Sequence, residues 1–169
     1  MNIDQLNKLW VDYQEILENL AGNFPTGTCY MSAFCISEFL NLKGISARDV
    51  AGNLALINKN GKYVIYGNLK LKGQKVGEYH AWCEAIINDK TYIIDPSLKY
   101  NIVFLKKTMG VKLSPKIPLS LITTEKDTYN WKYVEDEKLK SIAKHFLDLM
   151  SANAQNILTL LNNRIIVGW

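Results

Sequence analysis

The first stretch of the chain carries apolar residues at Ile3, Leu6, Leu9, Trp10, Tyr13, Ile16, Leu17 and Leu20. Steps of three and four put these residues on one stripe of a helix. Ala21-Gly22-Asn23-Phe24-Pro25 ends that helix, because glycine and proline both interrupt the pattern. A turn through Thr26-Gly27-Thr28 leads to a second predicted helix, about Cys29 to Leu42. Its apolar face is Met31, Phe34, Cys35, Phe39 and Leu42, and Gly44 is a natural terminator.

After Ile45 the period changes from helical to alternating. Ala47 to Asn58 predicts a strand, Asn60-Gly61 a hairpin turn, and Lys62 to Tyr66 the returning strand. Gly67 to Gly77 reads as a polar, mobile connection rich in lysine and glycine. Glu78 to Ile87 and Thr91 to Ile94 predict a second hairpin across Asn88-Asp89-Lys90. Pro96 has no N–H for a ladder and closes it. Tyr100 to Leu121, with Pro115, Pro118 and a lysine-rich run, reads as a loop holding at most one short strand. Asp136 to Met150 and Ile157 to Val167 predict closing helices. Helices, then an antiparallel sheet, then helices make an α+β fold, expected as one domain over residues 1–169.

Composition narrows the class without naming it. Of 169 residues, 48% are hydrophobic and 21% charged, which is ordinary for a globular domain. The net charge of +4 comes without an arginine-rich stripe, so nucleic acid is not an expected partner. No apolar run approaches the roughly 20 residues that span a bilayer, so no membrane is expected either. Met1-Asn2-Ile3-Asp4 lacks the features of a signal peptide, and three cysteines are too few for a disulfide framework. A cytoplasmic, reducing setting is the expectation, and it suits a working thiol. No feature specifies an oligomeric state.

The candidate chemistry centres on Cys29. A cysteine in the first turn of a helix meets unpaired N–H groups and the positive end of the helix dipole, both of which favour thiolate. The alternative is a small buried residue. A thiol nucleophile needs a base, and that base needs an orienting group. Of the two histidines, His145 falls on the polar side of an amphipathic helix and reads as solvated. His80 instead opens a predicted strand directly after a glycine-rich segment. His80 and Asp95 are nearly equidistant from the Asn88-Asp89 turn, so hairpin arithmetic sets them at the same edge. There the Asp95 carboxylate can hold one imidazole nitrogen and aim the other.

The neighbouring residues divide between site and core. Cys35 reads as core; Cys83, three residues after His80 on the strand, points to the opposite face. Trp82 and Glu84 share the face of His80, so Trp82 either walls the site, shields the His80–Asp95 pair, or simply packs. Cys29, His80, Cys83 and Asp95 are all possible zinc ligands, but the opposed faces and the lack of a CxxC or HxxxH pair argue for no metal. No cofactor is expected.

Gly27-x-Cys29 at the head of a helix, Gly44-Ile45-x-Ala47-Arg48, His80-Ala81-Trp82-x-Glu84 and Asp95-Pro96 follow in a definite order. Together they resemble the transglutaminase-like core, a branch of the papain-like cysteine enzymes, over about residues 22–101. The helical region of about 135–167 has no counterpart in the resemblance. It implies a cysteine-bearing helix packed on an antiparallel sheet, with extra N- and C-terminal helices. It also implies a triad of Cys29 as nucleophile, His80 as general base and acid, and Asp95 as orienting carboxylate. Papain-like enzymes place an amide side chain shortly before the cysteine as an oxyanion donor. Asn23 stands at a similar distance here, beside the Cys29 backbone N–H. The implied activity is acyl transfer from an amide of a protein or peptide substrate through a thioester, either as peptidase or amidase, or as transglutaminase. The alternative is a binding or scaffolding module with an idle site on the same fold.

Overall fold

A computed structural model describes residues 1–22, 25 and 27–165. Helix α1 (Ile3–Ala21) starts with a capping box, in which the Asn2 side chain accepts from the Gln5 N–H at 2.9 Å and the Gln5 side chain accepts from the Asn2 N–H. Leu6, Leu9, Trp10, Tyr13, Ile16 and Leu17 form its buried stripe, as the spacing predicts. Helix α2 (Cys29–Leu42) is buried on most sides, and its small residue Ala33 meets Ala51 and Ala81 of the sheet.

The strands are β1 (Ala47–Ile57), β2 (Tyr63–Tyr66), β3 (Gly73–Gly77), β4 (His80–Ile87), β5 (Lys90–Asp95), β6 (Leu121–Thr123) and β7 (Trp131–Glu135). They form one sheet in the order β3-β2-β1-β4-β5-β6, with β7 also on β1. All pairs are antiparallel except β2 with β3. Helix α3 (Leu98–Met109) follows β5, and α4 (Glu137–Leu149) and α5 (Ser151–Ile165) close the chain.

Alternation along β4 divides the core. Cys83 and Ala85 pack with Ile94 against α1, α2 and α5. Trp82, with Ile93 and Leu54, faces the other way toward Leu98 and Leu105 of α3 and Ile117 beyond it. The sheet is therefore covered on both faces, and an α+β architecture with a mostly antiparallel sheet is what the chain adopts.

β4 and β7 occupy successive stretches of β1 and change over at Gly52, which pairs with His80 on one and Glu135 on the other. A Cβ at Gly52 would stand 2.2 Å from the Val134 carbonyl oxygen, so only glycine fits the crossing.

Three expectations need correction, and one strand has no expectation set for it. The Gly67 to Gly77 connection contains β3, which pairs in parallel with β2 despite its exposed residues. Tyr100 to Leu121 is not a loop at its start. Leu98 and Leu105 are buried and Ile102 packs with them, a helical spacing hidden among lysines, and Gly110 in the left-handed region ends the helix before Pro115. Trp131–Glu135 is a strand that has no alternation to announce it. The last helix begins six residues before Ile157, at Ser151, and its predicted end at Val167 lies outside the described residues. Among the described residues no helix is long and apolar enough to cross a membrane.

Candidate active site

The β4–β5 hairpin turns through Asn88 and Asp89, with φ of 49° and 61°. Two successive left-handed residues are what a tight antiparallel turn requires, and asparagine and aspartate tolerate them. The register that follows pairs Cys83 with Ile94 and leaves Asp95 as the last residue of β5, beside the first turn of β4. His80 Nε2 and Asp95 Oδ2 are 2.7 Å apart. The residues are 1% and 0% exposed, so the pair is buried.

Asp95 is held by more than the histidine. Oδ2 also accepts from the Tyr133 hydroxyl of β7 at 2.8 Å. Oδ1 accepts from the Ser97 backbone N–H at 3.2 Å and from the Ser97 hydroxyl at 3.1 Å. Burial alone would favour the neutral acid. The imidazolium of His80, with the Tyr133 and Ser97 hydroxyls, outweighs it and holds the Asp95 carboxyl below its ordinary range. Burial likewise works against a charged His80. The adjacent Asp95 carboxylate, and after it the Cys29 sulfur, reverse that effect and push His80 up to about 10.

With Nε2 committed to Asp95, Nδ1 is the nitrogen left for other work. The Asn101 side-chain amide of α3 lies 3.4 Å from Nδ1 and donates to it when the ring is neutral. His80 and Asn101 line a cavity of about 280 Å³ together with Cys29, Gly27, Tyr66 and Tyr79. Cys29 is the first residue of α2 and is half-buried. The Thr28 hydroxyl donates to the Pro25 carbonyl instead of capping the helix, so among the described residues the first N–H groups of α2 have no side-chain cap. The arrangement sets a thiol at the head of a helix and an imidazole beside one small space.

The structure brings His80 against Asp95, as hairpin arithmetic foretells, and sets Cys29 and His80 on one cavity. Asn23 lies outside the described residues. Trp82 does not line the cavity. It is 1% exposed, its indole N–H donates to Glu84 at 3.3 Å, and its ring meets Tyr133 edge-on at 5.0 Å, so it packs in the core. Glu84 accepts from Arg48 at 2.8 Å and from Lys126 at 2.7 Å, and Arg48 also pairs with Glu135. Cys83 is buried on the opposite face, and burial pushes the Cys35 thiol up to about 12. His145 is exposed on α4. Among the described residues no group of three or more His, Cys, Asp or Glu side chains is arranged to hold a metal ion.

Four contributors were missed from sequence: Ser97, Tyr133, Asn101 and Tyr66. Ser97 carries a signal, since an aspartate two residues before a serine commonly folds back on its N–H. The others come from elements that the sequence pattern did not place against the site.

No protein-family model matches the chain, and no curated protein matches it. Among solved structures, the crystal structure of genomics APC5867 superposes with a TM-score of 0.60 at 13% identity, covering 96% of this chain and 79% of that one. At that identity the likeness speaks for the fold alone.

Proposed function

We propose that this chain is a transglutaminase-like, papain-like cysteine enzyme that transfers acyl groups from protein or peptide amides through a Cys29-His80-Asp95 triad. The observation that carries the reading is the fully buried His80–Asp95 pair at 2.7 Å, which opens onto the same cavity as Cys29. A retired site has no physical need to keep a histidine and a carboxylate sealed together and aimed at a thiol. The three free cysteines accord with the reducing setting such a thiol needs.

In this mechanism Cys29 reacts as a thiolate paired with the His80 imidazolium, which Asp95 stabilises. The thiolate forms an S–C bond to the amide carbon, and the carbonyl electron pair moves onto oxygen, facing the Cys29 backbone N–H. The C–N bond then breaks, the departing nitrogen takes the His80 proton, and a thioester remains. Water attacking that thioester gives hydrolysis, and an amine gives transamidation.

The test is iodoacetamide alkylation of the native protein, with each cysteine read by mass spectrometry. Cys35 and Cys83 are buried and Cys29 is not, so selectivity alone decides nothing. The rate and its dependence on His80 do. Cys29 is expected to react at least about tenfold faster at neutral pH in the native protein than in His80→Gln. Equal rates would remove the triad and put the binding or scaffolding module ahead.

A further inference from the structure

Five tyrosines are buried: Tyr13, Tyr30, Tyr66, Tyr100 and Tyr133. A buried phenol normally finds a hydrogen-bond partner, because leaving it unpaired costs about 1–3 kcal/mol. Four obey. Tyr13 donates to Ser32, Tyr30 to Asp49, Tyr100 to Glu18 and Tyr133 to Asp95. The Tyr66 hydroxyl has no partner among the described residues, and it is not one of the buried unsatisfied polar atoms, so it reaches open space although the ring is mostly covered. It is also the one of the five that lines the cavity holding Cys29 and His80.

Tyr66 is held there by construction. It ends β2, and the register slips between Ile65 and Tyr66 where β3 pairs with it. The Gly67 N–H donates to the Gly77 carbonyl at 2.9 Å, and the Asn68 N–H donates to the buried Asn53 side chain at 2.6 Å. Gly77 gives the ring its space, since a Cβ there would meet Tyr66 Cδ1 at 2.6 Å. On the other side the ring centroid is 5.5 Å from that of His80. A phenol so fixed, unpaired and facing a nucleophile is a preorganised donor waiting for an acceptor.

We infer that the Tyr66 hydroxyl is a donor to the oxyanion formed when Cys29 attacks a carbonyl, acting beside the Cys29 backbone N–H. The inference rests on the acyl-transfer reading of Cys29. As the S–C bond forms, the carbonyl electron pair becomes an oxygen lone pair with full charge, and the Tyr66 O–H bonds to it without giving up its proton. When the tetrahedral adduct collapses, the pair returns to the C=O bond and the leaving group departs. Burial first, then the Cys29 sulfur and the Asp95 carboxylate, push the Tyr66 phenol well above its ordinary range, so it stays a donor throughout the working pH.

Two probes of the same sulfur separate this role from any other. p-Nitrophenyl acetate acylates Cys29 through an oxyanion and releases p-nitrophenolate. Iodoacetamide alkylates it by displacing iodide, with no oxyanion. Tyr66→Phe is expected to slow acylation about 100-fold, after subtracting the Cys29→Ala background, and to leave alkylation unchanged. Its melting temperature should stay near that of the native protein, because the change removes no hydrogen bond among the described residues. Equal slowing of both reactions would overturn the inference, since Tyr66 would then act on the thiolate itself. No slowing of either would overturn it as well, and so would a lowered melting temperature with slowing of both. If native Cys29 reacts with neither probe, the nucleophile assignment fails first and the Tyr66 role falls with it.

Discussion

Glu84 and Asp95 are two buried carboxylates on one face of the sheet, on the neighbouring strands β4 and β5. Both are held below the ordinary carboxylate range. In each case burial pushes the other way and nearby donors prevail. Their partners differ. Glu84 is neutralised by the side chains of Arg48 and Lys126, with the Trp82 indole as a further donor. Asp95 is neutralised by His80, whose proton can leave and whose second nitrogen faces a cavity. A carboxylate locked to permanent cations can only hold strands together. One paired with a histidine can store and return a proton. A carboxylate on this face is thus suited to architecture or to proton transfer according to its partner.

Four experiments break or sharpen that contrast, in descending order of effect. Cys29→Ala should abolish turnover of an acyl substrate while circular dichroism and melting temperature stay near native; activity near native would remove Cys29 as nucleophile. Asp95→Asn should cut the rate by about three orders of magnitude or more by misorienting His80. An unchanged rate in a folded variant would move Asp95 to the architectural class. Glu84→Gln should do the opposite, lowering stability by about 2–3 kcal/mol in urea unfolding with turnover within a few-fold of native. A rate loss matching that of Asp95→Asn would erase the distinction.

The mildest probe changes pH alone. His80 sits at about 10, above its ordinary 6.5. Its contribution is therefore complete below pH 6.5 and is lost as pH rises through 10. Asp95 and Glu84 are lowered from 3.8 and 4.5, so their contributions are present above those values and are lost as pH falls. Between about pH 6.5 and 9, native stability should decline by at most about 1.4 kcal/mol per pH unit. Above that range the buried Cys35 thiol, raised from 9.0 to about 12, adds its own loss. His80→Gln should lack the decline between pH 6.5 and 9 and keep the acid limb. A decline that persists in the variant would assign it to another group.

The parts of the site legible in the sequence are those set by local geometry. Cys29 is readable because glycine and threonine precede a helical pattern. The His80–Asp95 pair is readable because a two-residue turn fixes which positions face each other. The helices α1, α2 and α4 and the hairpins follow from period and punctuation. Elements that depend on distant partners are not readable in the same way. β3 is exposed and lysine-bearing, and it is a strand only because the β2 backbone lies alongside. β7 exists because Gly52 lets it cross β1. α3 packs Leu98, Ile102 and Leu105 on the sheet, but two prolines farther along the chain dominate the pattern. The missed site residues Tyr66, Tyr133 and Asn101 stand on or beside those elements, and for that reason the donors around the dyad escaped a reading that found the dyad itself.

The hydrogen bond from Tyr133 to Asp95 spans 38 positions of sequence. Proteins are made from the N-terminus, so a ribosome that has produced Cys29, His80 and Asp95 has still to supply the hydroxyl that completes the carboxylate's shell. The order of translation therefore delays full assembly of the dyad until Tyr133 has been made. A nascent chain carries the three reactive side chains through the crowded surroundings of synthesis before the strand that finishes their setting has emerged.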